Sequence, residues 1–249
     1  MRCSELSIAL GEPLHATAPF AREWLLIEEP AAWGEKAVAE AGFGEVEARG
    51  KEQGVRVGLI RPFRRRGVRS RRVFRVSCTP PDPFVELLPE PDLDARGERV
   101  GGPLYLVCTN GRRDVCCGLA GRVLARALAP EVGESLWETS HIGGHRFAPN
   151  LVCLPEGLVY GRLDAEAARR VVGAHRAGRI VLEHFRGRSS LEPAAQAADY
   201  FARRETGRLR IDDDPAAEFD VRVEPFTLDP PRPKSCGGEP KQPTSWRLA

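Results

Sequence analysis

Short apolar runs, punctuated by Gly- and Pro-rich breaks, set the pattern of the chain. REWLLIE (22–28), VRVGLIRP (55–62), RVFRVSC (72–78) and FVELLPE (84–90) run apolar or alternate, as buried strands do. EKAVAEAGF (35–43) predicts a short helix between the first two. The polar segment PDLDARGERVGGP (91–103) then interrupts the pattern and predicts a boundary. Beyond it, PLYLVC (103–108) predicts a strand and CGLAGRVLARALA (about 117–129) a helix. SLWETS (135–140) is a further strand, and LVCLPEGLVYGRL (151–163) reads as two strands joined by the turn PEG. DAEAARRVVGAHRAG (164–178) predicts a helix with Asp164 as its N-cap. Ser189 and Glu192 have capping-box spacing before another helix, PAAQAADYFARRE, whose Pro193 suits a first turn. FDVRVEPF is the last predicted strand, and the Pro-rich tail ending in SCGGEPKQPTSWRLA is expected to be ordered only by packing on the body.

The second half therefore reads β-α-β-β-β-α, the order of a thioredoxin-like unit. The expected fold class is α/β: a smaller N-terminal α/β subdomain over 1–98, then a thioredoxin-like domain over 99–249 with a C-terminal helix and tail. Hydrophobic content of 42% and charged content of 29% are ordinary for a water-soluble globular protein. Apolar runs such as WLLI (24–27) are too short to cross a bilayer, and MRCSELSIALGEPLHA lacks the sustained apolar core of a signal peptide. The expectation is a cytoplasmic protein with no membrane partner. A net charge of +2 points to no particular partner. The arginine-dense stretch RPFRRRGVRSRR (61–72) reads first as a solvated connection and second as a docking surface. No aromatic ladder or helical basic face accompanies it, so no nucleic-acid partner is expected.

Cysteine and histidine change the picture. The chain has 7 cysteines, Cys3, Cys78, Cys108, Cys116, Cys117, Cys153 and Cys236, an odd count that argues against a disulfide framework. Three of them crowd into the loop that begins at Cys108, which points to metal or redox chemistry. Cys3 and Cys78 read as packing residues. Of 5 histidines, His141 and His145 share the stretch HIGGHRFAPN, where Gly143 and Gly144 disfavour a helix and imply a loop. Cys108 ends one predicted strand, Cys117 opens a helix, and the histidines follow another strand. If the two strands are neighbours, their ends share one edge of the sheet and the loops converge. A helix N-terminus favours a thiolate at Cys117, and Arg112 and Arg113 add positive charge. Asp114 either closes the loop by accepting backbone N–H bonds or backs a ligand histidine.

A Cys2His2 set admits a structural zinc or a [2Fe–2S] cluster. Eight residues lie between Cys108 and Cys117, too many for the usual zinc-finger spacing. The Rieske pattern, with Cys and His paired within each loop, is absent. Cys116 could ligate in place of Cys117, since adjacent residues point to different sides and only one should face a metal. A thiol oxidoreductase would be expected to carry Cys-x-x-Cys, which is missing. Glycoside hydrolysis needs two carboxylates flanking a sugar site, and no such pair stands out.

The run CTNGRRDVCCG (108–118), followed by WETSHIGGHRFAPNLVCLPEGLVYGRL (137–163), resembles the sucrase/ferredoxin-like family. RCS (2–4), FRGRSSLEPAAQAA (185–198) and the terminal CGG with its following Trp246 resemble bacterial members. The resemblance implies a thioredoxin-like ferredoxin whose [2Fe–2S] cluster is held by Cys108, Cys117, His141 and His145. It favours Cys117 over Cys116, which becomes a packing residue, and it departs at Asn110, where members often carry His. It also implies a one-electron carrier rather than an enzyme with its own substrate, served by a reductase and an acceptor. Imidazole ligation would raise the potential above that of a four-cysteine cluster. Reduction would favour the protonated outer nitrogen of each ligand histidine, so electron uptake would couple to proton uptake at high pH.

Overall fold

The structure, a computed structural model, describes residues 1–63 and 71–249. Helix α1 (Cys3–Ala9) precedes strand β1 (Glu23–Glu28), a π-helical turn (Ala39–Phe43), α2 (Gly44–Gln53) and β2 (Val55–Pro62). Then come β3 (Val73–Ser77), β4 (Phe84–Leu88), β5 (Glu98–Val100), β6 (Leu104–Cys108), α3 (Val115–Val132) and β7 (Leu136–Thr139). β8 (Leu151–Leu154), β9 (Leu158–Tyr160), α4 (Ala165–Arg176), β10 (Phe185–Arg188), α5 (Pro193–Thr206) and α6 (Pro215–Glu218) follow. The tail holds β11 (Val223–Thr227), β12 (Arg232–Pro233), β13 (Pro240–Lys241) and β14 (Thr244–Leu248).

β1 to β10 form one mixed sheet in the order β10-β9-β8-β6-β7-β2-β1-β3-β4-β5. In the second half β6 and β7 are parallel with α3 crossing between them, β8 is antiparallel to β6, and β9 to β8. This is the predicted β-α-β-β-β-α unit, closed by α4. The first half repeats the plan: β1 and β2 are parallel across α2, β3 is antiparallel to β1, and β4 to β3. β5 and β10 are the matching edge strands. The two units meet where β2 and β7 pair antiparallel, Ile60 opposite Thr139 and Pro62 opposite Trp137. A local two-fold between β2 and β7 thus relates the two strand plans.

Strand alternation assigns the layers. Tyr105, Val107, Leu151 and Cys153 pack with Leu124 and Leu128 of α3 and Val171 of α4, while Leu25, Ile27, Val57 and Leu59 pack near α2. The opposite face is continuous across both halves, with Trp24, Leu26, Ile60, Leu106, Cys108 and Trp137 in one cluster. Cys3, Ala18, Ala21, Ile142 and Ala148 cover it.

Two local expectations change. The helix at 35–43 is a π-helical turn that continues as α2 to Gln53. GEVEARGKEQ is too polar to show an apolar stripe, so its pattern hides a helix that Gly54 ends at φ +73°. The Ser189–Glu192 capping box does not form: Glu192 is an N-cap without a side-chain bond, and Ser189 is buried, accepting from Trp24 Nε1 at 3.3 Å. Pro193 does occupy the first turn, and Asp164 does cap α4 by accepting from Ala167 N at 2.7 Å. The tail is tied down by the β11–β14 ladder, which packs on α5.

The helix crossing the rim fits closely. A Cβ at Gly121 of α3 would lie 2.0 Å from the Cys108 carbonyl oxygen. Backbone cannot yield as a side chain does, so Gly121→Ala should cost roughly 1–3 kcal/mol despite its better helix propensity. A urea melt checks this; an unchanged midpoint would show that α3 is free to lift.

Candidate metal centre

Parallel β6 and β7 are neighbours, so the loops leaving them rise from one rim, with Cys108 paired to Thr139. The first loop turns tightly because Gly111 and Gly118 touch: a Cβ on Gly118 would lie 2.6 Å from Gly111 Cα. Asp114 caps α3, its Oδ1 accepting from Cys116 N at 2.9 Å, as expected of a loop-closing Asp. Asn110 is buried, accepts from Arg113 N at 3.3 Å and donates to the Gly34 carbonyl at 3.0 Å. It fastens the cysteine loop to the first half of the chain.

The histidine loop is shaped by two left-handed glycines, Gly143 at φ +92° and Gly144 at φ +76°, and ends in a 3-10 turn over His145–Phe147. Arg186 explains the second glycine. A Cβ at Gly144 would sit 2.3 Å from the Arg186 guanidinium. That guanidinium, 1% exposed, donates to the Gly143 carbonyl at 3.2 Å, Asn150 Oδ1 at 2.9 Å, Thr17 Oγ1 at 3.1 Å and the Thr17 carbonyl. Burial, then repulsion from Arg146, pushes its pKa down to about 9, so it stays charged at neutral pH. Arg56 holds the other end of the loop, donating to the His141 carbonyl at 3.0 Å. Arg186 belongs to the family-like stretch FRGRSSLEPAAQAA, but no pattern in the sequence marks either arginine as a brace for this loop, and only the fold brings them here.

The four predicted ligands come together. Cys117 Sγ lies 3.8 Å from His145 Nδ1, and the His141 and His145 rings stack with centroids 3.9 Å apart. Cys108 meets both Cys117 and His141. The Cys117 thiol donating to Cys108, against opposing burial and with His141 assisting, holds the Cys108 thiol well below its ordinary value. The same contact, reinforced by burial, drives Cys117 upward. Burial, then the neighbouring His141, pushes His145 down to about 4, which leaves its ring neutral at physiological pH. Cys108, Cys117 and His145 are buried, whereas His141 is partly exposed at a groove of about 840 Å³ that Lys36, Arg56 and Arg113 also line.

Cys116 turns the other way. Its Sγ lies 3.4 Å from Cys236 Sγ and 3.7 Å from Cys3 Sγ, so the adjacent cysteines serve different clusters. Cys3 is therefore not the isolated packing residue its sequence context suggests. Cys3 and Cys236 are 233 positions apart, so no spacing could reveal the pair. Cys78 is solitary in that sense: burial raises its thiol to about 12.

The described flanks of the arginine-rich stretch lie away from the histidine loop. Residues 64–70, its centre, lie outside the described residues. Of its flanks, Pro62 pairs with Trp137 near the start of β7, the end away from His141. Arg61 and Arg72 are ion-paired to Glu138 at 2.8 Å and Glu28 at 2.7 Å.

Comparison with known proteins decides the family. A sequence profile described as sucrase/ferredoxin-like matches residues 14–187. The chain belongs to the sucrase/ferredoxin-like family. The sucrase/ferredoxin-like match takes in β1 to β9 and nearly all of β10, and it leaves Cys3 and Cys236 outside. Two curated relatives are similar over a shorter stretch. Altered inheritance of mitochondria protein 32 of Meyerozyma guilliermondii is 36% identical over 95 residues, 34% of this chain and 34% of its own. Its namesake from Debaryomyces hansenii is 32% identical over 110 residues, 38% of this chain and 39% of its own. The chain thus spans little more than a third of the length of these relatives. No solved structure matches. No helix among the described residues is long and apolar enough to cross a membrane.

Proposed function

We propose that the protein is a one-electron carrier whose [2Fe–2S] cluster is held by Cys108, Cys117, His141 and His145. The observation that supports this reading is the meeting of the two loops, with Cys117 Sγ 3.8 Å from His145 Nδ1. The donor set suits the group: contact with Cys117 and His141 lowers the Cys108 thiol, and burial lowers His145 to about 4, both toward the forms in which these residues ligate. Among the described residues, the group whose ligand atoms all lie within 4.8 Å of one another is a different one, centred on Cys116.

When bound, the cluster supplies reversible one-electron storage. The chain supplies the rest. Cys108, Cys117 and His145, at most 5% exposed, keep water from the site. Arg56 and Arg186 hold the histidine loop in place and set fixed positive charge beside it, which offsets the negative charge that reduction adds. His141, partly exposed at the groove, is the edge at which a reductase and an acceptor dock. A reducing compartment, the cytoplasm, keeps the thiols available.

The purified protein should be red-brown and contain about two iron and two sulfide per chain. Dithionite reduction should bleach it and give the paramagnetic resonance signal of a reduced [2Fe–2S] centre. A colourless protein carrying only zinc, after expression with ample iron and sulfide, would overturn the assignment.

A further inference from the structure

We propose that Cys3, Cys116 and Cys236, together with Asp114, form a second metal site. It takes a single thiophilic divalent ion of the zinc class and clamps both ends of the chain onto α3. The three sulfurs close a triangle: Cys3–Cys116 3.7 Å, Cys3–Cys236 3.5 Å and Cys116–Cys236 3.4 Å. Asp114 completes the set, its Oδ2 3.7 Å from Cys3 Sγ, and all four ligand atoms lie within 4.8 Å of one another.

These spacings discriminate between occupants. A tetrahedral zinc with bonds of about 2.3 Å to sulfur and about 2.0 Å to oxygen places its ligand atoms roughly 3.5–3.8 Å apart. The three sulfur–sulfur edges and the Cys3–Asp114 edge, 3.4–3.7 Å, fall within or just below that range. An iron–sulfur cluster, with several irons and sulfides between its ligands, needs a wider cage. A disulfide needs its sulfurs at about 2.05 Å and would leave the third thiol over.

The surroundings are those of ligating thiolates. Ser4 Oγ donates to Cys116 Sγ at 3.3 Å, and Cys3 N–H approaches Cys236 Sγ at 3.5 Å. Cys116 sits in the first turn of an 18-residue helix, where the dipole favours negative charge. Asp114 is oriented by backbone, accepting from Cys116 N at 2.9 Å and Cys236 N at 2.8 Å. The three cysteines come from α1, the start of α3 and the C-terminal tail, so the ion would be a staple between segments of no sequence proximity. Because Cys117 follows Cys116, the staple also steadies the helical turn that presents Cys117 to the cluster loop.

The test measures zinc and iron together, by elemental analysis of the full chain purified without added chelator. The expected result is about one zinc per chain beside the iron. Cys236→Ser and Cys3→Ser should each cut zinc at least fivefold while the visible spectrum persists, with folding confirmed by circular dichroism. His145→Ala should do the reverse, losing the visible chromophore and keeping zinc, so failure of the cluster reading and failure of this one are distinguishable. In the His145→Ala protein, cobalt(II) should give intense tetrahedral thiolate bands that Cys236→Ser abolishes. Zinc absent from the wild type, zinc unchanged in both cysteine variants, or a Cys116–Cys236 disulfide in peptide mapping would each overturn the proposal.

Discussion

His145→Cys should lower the midpoint potential by on the order of 100 mV or more while iron and sulfide stay bound, and His145→Ala should lose the chromophore. The sign follows from charge. A neutral imidazole gives way to a thiolate, the site becomes one unit more negative, and adding an electron becomes harder. Histidine-ligated [2Fe–2S] centres lie several hundred mV above four-cysteine ones, and one substitution should recover a sizeable part of that gap. The environment predicts an asymmetry between the two histidines. His145 is 5% exposed, whereas His141 borders the groove, where water screens charge. His141→Cys should therefore shift the potential less than His145→Cys. Redox titration followed by visible absorption checks both, and equal potentials in wild type and His145→Cys would count against ligation by His145.

Arg186→Leu should destabilise the protein by about 3–5 kcal/mol and make the cluster labile. The guanidinium satisfies four acceptors: the carbonyls of Gly143 and Thr17, Thr17 Oγ1 and Asn150 Oδ1. An acceptor left buried and unpaired costs roughly 1–3 kcal/mol, and partial access of water to some of the four brings the sum into that range. The loss is directional, because those acceptors tie the histidine loop to the segment entering β1. Arg186→Lys keeps charge but not the planar fork, and should recover only part of the stability. Urea unfolding and the half-life of the visible spectrum in air read the two effects separately. A Leu variant within about 0.5 kcal/mol of wild type would mean that the loop holds its shape without this arginine.

Much of the architecture was legible in one dimension. β1 to β4 and β6 to β9 each carry enough buried side chains to leave an apolar or alternating trace, and Asp164 announces α4 by its chemistry. α2 was only partly legible because its polar surface supplies little pattern. β5 and β10 were missed because ERV and FRGR are mostly charged residues and glycine, so no apolar run marks them. The repeated strand plan left no trace in residue identity. Where β6 ends at Cys108, its counterpart β1 ends at Glu28, fully buried and ion-paired to Arg72 at 2.7 Å. Topology is retained in the first half, but the ligand chemistry there is absent.

The sequence by itself determined the α/β class and the family-like pair of loops, with Cys108, Cys116 or Cys117, His141 and His145 as the candidates on them. It could do so because each pair lies within one loop, at the end of a strand whose apolar run is unmistakable. Tertiary structure alone decided which way Cys116 faces, which arginines brace the histidine loop, and that Cys3 and Cys236 belong together. Those are contacts between segments up to 233 residues apart, formed by the packing of α1 and the tail over the rim of the sheet, and local pattern carries no information about them.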